Sequence, residues 1–153
     1  MSPLDCWLPT PKLDRSTSVD DLTHGRKLYY LFARDESAYR RGRVGPQPEG
    51  QAIVKEAWEP IALRPDDKTD GSNTVAIEGP GKEWVHFKAG PKAGLFIMLK
   101  RGGRWEYATV SADASRVTQS GQVASCLECH RNASHDSLFG TYMDPKDPSR
   151  YPR

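Results

Sequence analysis

Residues 94–110 read GLFIMLKRGGRWEYATV, and this stretch decides the fold. Two runs rich in aliphatic and aromatic residues flank a Gly-Gly pair. Glycine adopts positive φ without penalty, which a two-residue hairpin turn requires. The stretch therefore predicts two antiparallel strands joined at Gly102 and Gly103. Upstream, AIVKEAW, TVAIEG and EWVHFKAG share the texture. They are short, rich in β-branched and aromatic residues, and divided by Gly, Pro, Asp or Asn. With GLFIMLKR and RWEYATVS they give a small, mainly antiparallel β-sheet of roughly four to five strands. No sustained helix lies between them, so βαβ units are not expected.

Outward from the sheet, STSVDDLTHGRKLYYLFARDESAYRRG predicts an N-terminal helix. Ser18 stands as its cap with Asp21 three residues on, and Leu28, Leu31, Phe32 and Tyr39 recur at helical spacing. Gly42, after Arg40 and Arg41, is the expected stop. A second helical region is expected near residues 124–139. The fold class is therefore α+β. Residues 1–16 read as an extended arm, 17–140 as a single domain and 141–153 as a proline-rich tail.

The chain has 153 residues, 37% apolar and 27% charged, which suits one domain with a real core. Twenty-two basic against 20 acidic residues leave a net charge of +2, too weak to argue for nucleic acid or a membrane surface. The longest apolar run, 95–99, is far too short to span a bilayer. The first residues lack a basic start followed by an apolar stretch, so no secretory signal is seen. Three cysteines make no disulfide framework.

Two of those cysteines stand in CLECH, residues 126–130. Cys-x-x-Cys-His is the pattern of covalent c-type haem attachment. On a helix, positions i, i+3 and i+4 share one face. Cys126 and Cys129 can then form thioethers to the two vinyl groups of one porphyrin, and His130 can meet its iron. The C-terminal helix is thus expected to be the haem-attachment helix, carrying one haem c. The alternatives are a structural zinc site, which needs a second ligand pair, and a redox dithiol, which expects a βαβ context. Only Cys6, His24, His86 and His135 remain for zinc. Haem c implies a periplasmic or otherwise exported protein, its leader absent from this sequence. Cys6 is then left over: a free thiol, an intermolecular disulfide or, the reading preferred, an incidental residue.

The other side of the iron is less legible. Met98 is the natural thioether ligand, but it sits in the apolar run LFIML. His86 reads as a half-exposed strand residue, and His24 and His135 as helix-surface residues. The leading expectation is an open distal site lined by Ile53, Phe87 and Phe96.

In its order of motifs, the chain resembles the cytochrome P-460 family, which includes the cytochromes c-prime-beta. The matching features are the N-terminal helix, PEGQAIVKEAW, WVHFKAG, GLFIMLKRGGRWEYATV and SCLECH, followed by Asp136 and Phe139. The resemblance covers roughly residues 20–140. It implies a small antiparallel sheet packed with helices, one haem with five-coordinate iron, and a homodimer. P-460 members oxidise hydroxylamine and carry a lysine cross-linked to the porphyrin, whereas c-prime-beta members bind nitric oxide or carbon monoxide in an apolar pocket. Lys55 resembles the cross-linking lysine by context, and by alternation it shares a face with Ile53 and Ala57, where a free ammonium is costly. Snorkelling to the sheet edge is the alternative.

Cross-linked members also resemble one another in a carboxylate shortly before the haem motif. VTQSGQVAS holds none; Asp113 lies further back, and Gln119 or Gln122 cannot accept a proton. Three functions stay open. The first is a protein binding a small gaseous or nitrogen-oxide ligand. The next is a six-coordinate electron carrier with a redox partner protein. The last is an enzyme oxidising hydroxylamine, a similar small nitrogen substrate or peroxide. Arg40, Arg41 and Arg43 could dock an acidic partner, though a solvated helix end explains them equally.

Overall fold

The computed structural model describes residues 13–16, 24–40, 45–68, 73–78, 81–133 and 136–139. Cys6, Ser18, Asp21, Arg41, Gly42, Arg43, His135 and the tail from 140 onward lie outside them. The elements in chain order are β1 (Asp14–Arg15), β2 (Leu28–Ala33), α1 (Glu36–Arg40), β3 (Ala52–Ala62), β4 (Thr74–Glu78), β5 (Trp84–Arg101), β6 (Arg104–Val110), β7 (Val117–Gly121) and α2 (Ala124–His130). One seven-stranded sheet runs β1-β2-β3-β5-β6-β7, with β4 on the first half of β5. Every pairing is antiparallel.

The hairpin forms as its glycines require. Arg101 pairs with Arg104, and Gly102 and Gly103 have φ of 57° and 72°, as a primed two-residue turn demands. The Glu49 carboxylate closes it, accepting from Gly102 N at 2.7 Å and Gly103 N at 3.1 Å. These two bonds hold the Glu49 carboxyl below its ordinary pKa.

The expectation of four to five strands is corrected to seven among the described residues. EWVHFKAG and GLFIMLKR are not two strands but the single 18-residue β5. Its pairing with β3 runs Ala57 to Gly94, Trp58 to Lys92 and Pro60 to Ala89. Two register shifts thus fall where Pro60 and Pro91 lack N–H donors, so the strand bends there and continues. Gly94 has φ 151°, and a Cβ on it would lie 2.8 Å from the Val110 carbonyl oxygen.

The expected N-terminal helix is also corrected over its described part. LYYLFA, 28–33, is strand β2, packed between β1 and β3. Its Tyr-Tyr and Phe prefer a pleated surface, and β3 offers a full edge to pair with. Only α1 is helical, and its cap is Asp35, whose Oδ1 accepts from Ala38 N at 2.8 Å. The arm ends on the sheet: Leu13 is buried, and β1 pairs with β2. β7 is exposed and polar, without the alternation that marks a strand. The described residues thus form an antiparallel sheet with two short helices.

The core joins the C-terminal half of β5 to α2. Ala33, Tyr39, Ile53, Met98, Trp105, Tyr107 and Leu138 are buried together, with Val123, Cys126 and Leu127 packed on them. Each such large side chain contributes about 1.5–3 kcal/mol by leaving water. A seven-residue helix is not stable alone, so this packing is what holds α2. Gly94→Ala is expected to lower stability by about 1–3 kcal/mol in urea unfolding. Gly45→Ala, with no atom within 4 Å of the added Cβ, should stay within about 0.5 kcal/mol of the parent.

Candidate functional site

The register of the sheet builds one wall of a cavity of about 700 Å³. One rung crosses five strands as Leu31, Lys55, Phe96, Thr109 and Gln119. The next carries Ala33, Ile53, Met98, Tyr107 and Gly121. All of these except Ala33 and Gly121 line the cavity. Ser125, Cys126, Cys129 and His130 of α2 face it, together with His24, Tyr29, Tyr39, Leu138 and Phe139. Its volume falls within the roughly 300–1,000 Å³ usual for small-molecule and cofactor sites.

The sequence-predicted residues sort as follows. Cys126, Cys129 and His130 share one face of α2 and open on the cavity, as their spacing requires. Ile53, Phe96, Lys55 and Met98 are on its sheet wall. Phe87 is not: it pairs with Ala62 and Val75 on the other half of β5, nine positions before Phe96. That expectation is corrected, because the long bent β5 carries its first half away from the site. His86 lies on the same half, exposed, opposite Ala76. Met98 is 7% exposed and belongs to the core cluster. Asp113 is no part of the cavity lining. Its carboxylate closes the β6–β7 turn, taking Ser111 Oγ at 2.6 Å, Ser115 Oγ at 2.8 Å and Ser115 N at 3.1 Å, and is pulled down to about 2 chiefly by the Ser111 bond. Gln119 lines the cavity, whereas Gln122 donates its amide to the Trp105 carbonyl at 2.9 Å.

His130 has a fixed proton. Its Nδ1 lies 2.8 Å from the Ser137 carbonyl oxygen. A carbonyl only accepts, so Nδ1 carries the hydrogen and Nε2 is left with the lone pair. Burial, reinforced by the Lys55 charge and opposed by the Ser137 bond, pushes the His130 pKa down and keeps the ring neutral. Its ring centroid is 5.4 Å from those of Tyr107 and Phe139. The Cys126 thiol is pushed up by burial. Among the described residues no three His, Cys, Asp or Glu side chains converge as a metal-ion site. The second ligand pair that a zinc site needs is not assembled there.

Lys55 stands in the cavity rather than at the sheet edge. Its Nζ donates to Ser16 Oγ at 3.2 Å, meets His24 Nδ1 at 3.1 Å and lies 4.0 Å from the Tyr29 ring centroid. Tyr29 in turn donates to Asp14 at 3.3 Å. Burial pushes the Lys55 amine from 10.5 down to about 8. Burial also raises Tyr107, to about 12, and raises Tyr29. His24 and Tyr107 were missed as site residues. Nothing in the sequence signals that the loop carrying His24 folds onto β3, although Tyr107 alternates correctly with Trp105 on a strand. Among the described residues the cavity lining contains no Asp or Glu.

The chain matches no protein-family model and no curated protein. No helix among the described residues is long and apolar enough to cross a membrane.

The Lys55 environment sets a pH dependence. The unfolded chain keeps the lysine proton to about 10.5, while the folded chain releases it near 8. The charge therefore penalises the fold below pH 8, and the penalty fades between 8 and 10.5. Lys55→Met is expected to raise stability at pH 7 by about 1–3 kcal/mol, with a smaller gain at pH 10, read by urea unfolding at both values. A loss at pH 7 would show that the His24 and Ser16 bonds outweigh the burial cost.

Proposed function

We propose that this chain is a monohaem c-type cytochrome of the cytochrome P-460 and c-prime-beta kind, which binds a small ligand such as nitric oxide or carbon monoxide. Cys126 and Cys129 would carry the two thioethers and His130 the iron. The observation that carries this is the His130–Ser137 bond. It leaves Nε2 as the bare nitrogen of a neutral imidazole, on the same helix face as both cysteines and beside a cavity of cofactor size. Bound there, haem supplies an iron centre that takes a diatomic ligand or an electron.

The chain's own residues favour ligand binding over hydroxylamine chemistry. Leu31, Ile53, Phe96 and Met98 make an apolar wall, and among the described residues the lining holds no carboxylate to take a substrate proton. Export, a homodimer and a redox partner belong to the same proposal through the family resemblance.

One observation favours the P-460 reading: the Lys55 amine lies in the cavity, with its pKa pushed down to about 8. A partly neutral amine in a haem pocket would be the nucleophile for a lysine–porphyrin C–N bond, the displaced hydrogen leaving as a proton and two electrons passing to an external oxidant such as a peroxide. Peptide mapping of the holoprotein decides this. A haem peptide that includes Lys55 establishes the cross-link, and one confined to the α2 segment excludes it.

The proposal as a whole is tested on the ferrous holoprotein titrated with carbon monoxide. A clear shift of the visible spectrum is expected. An unchanged spectrum means that a sixth side chain holds the iron, with Met98 the suspect, and turns the assignment to an electron carrier. In Cys126→Ala and Cys129→Ala, haem should stay bound through one thioether, and the pyridine haemochrome α-band should shift from the wild-type position because one vinyl group is left intact. An unshifted band in either variant would overturn the haem assignment.

A further inference from the structure

His130 is oriented from outside its own helix. Asp136 and Ser137 both have positive φ, 48° and 63°, a region that residues with side chains rarely adopt. Such strain persists only where surrounding contacts over-determine it, and it collects at functional sites. Those contacts are present. Lys100 Nζ donates to Asp136 Oδ1 at 2.7 Å and Oδ2 at 2.9 Å. Gln47 N donates to Oδ2 at 2.8 Å, and Trp105 Nε1 to the Asp136 carbonyl at 2.7 Å. The next carbonyl, that of Ser137, takes the His130 Nδ1 hydrogen. Three separate parts of the chain therefore grip one strained turn, and that turn holds the imidazole.

The Lys100 and Asp136 side chains are only 7% and 18% exposed. A buried ion pair is weak evidence for stability, since a well-packed apolar pair serves as well. What an apolar pair would not do is fix the direction of the Ser137 carbonyl. We propose that Lys100 and Asp136, braced by Trp105 and Gln47, are positioning residues that hold this carbonyl against His130 Nδ1 and so set the tautomer and basicity of the imidazole. The proposal rests on His130 being the axial ligand. A ligating histidine whose other nitrogen donates to a fixed acceptor is a stronger donor to its metal. The clamp therefore strengthens the iron–histidine bond and favours the ferric state.

Lys100→Met and Asp136→Asn are compared with wild type, with Lys100→Arg and with Glu49→Gln, which loosens the β5–β6 turn without touching His130. A pyridine haemochrome spectrum comes first and establishes whether c-type haem is present. In the ferrous holoprotein, resonance Raman should show the iron–histidine stretch at lower frequency in Lys100→Met and Asp136→Asn, with a higher reduction potential. Lys100→Arg should restore both, and Glu49→Gln should move neither. If the first two variants are merely less stable, with stretch and potential unchanged, the clamp is structural and the proposal falls. If the haemochrome spectrum shows no c-type haem, the functional reading falls by itself, and the clamp is read from ring nitrogen NMR of His130 in the full chain. There wild type should hold its proton on Nδ1, and Lys100→Met should show a mixture of tautomers. The same tautomer in both would overturn the clamp.

Discussion

The register of β3 against β5 is the constraint on which the rest of the molecule depends. Side chains alternate with a period of two, so slipping this pairing by one residue would turn Ile53 and Lys55 out of the cavity. Two features hold the register. The Gly-Gly turn fixes β5 against β6. Gly94, where no Cβ fits against Val110, lies at the first of the two shifts between β3 and β5. Beyond the shifts, β5 leaves the cavity and takes up β4 instead. One strand thus serves both as the wall of the site and as the support of a separate hairpin.

The site gathers opposing electrostatic demands in a small space. The lysine amine, two imidazoles and three tyrosines all border an apolar wall, and burial drives Lys55 and His130 toward neutrality. The two imidazoles are then held differently. His130 is tied to a backbone carbonyl through Nδ1. His24 meets Lys55 and Ser16 through Nδ1, and its ring lies 6.3 Å from that of His130. At neutral pH the cavity therefore holds one largely protonated amine, Lys55, beside a neutral His130, both with fixed hydrogen-bond partners.

Much of the sheet was legible, because β3, β4, the second half of β5 and β6 carry dense β-branched and aromatic runs cut by turn residues. β2 was misread, since Leu28, Leu31 and Phe32 fit a helical stripe as well as a strand, and only the waiting edge of β3 separates the two. β7 gave no signal, because it is held by pairing with β6 and not by burial of a face. Within the site, Phe96 was expected beside Ile53 as lining, and alternation placed Lys55 on one face with Ile53. It could not show that two register shifts turn Phe87 away.

By itself the sequence determined that Cys126, Cys129 and His130 share a helix face, since 3.6 residues per turn allow no other arrangement on α2. It determined the Gly102–Gly103 turn in the same local way. Only the tertiary structure decided which His130 nitrogen carries the proton, how deep Lys55 lies and what holds Asp136. Those depend on contacts such as Lys100 with Asp136, 36 residues apart, and Gln47 with Asp136, 89 apart. Local residue pattern cannot encode them, because they exist only once the sheet has brought distant segments to one place.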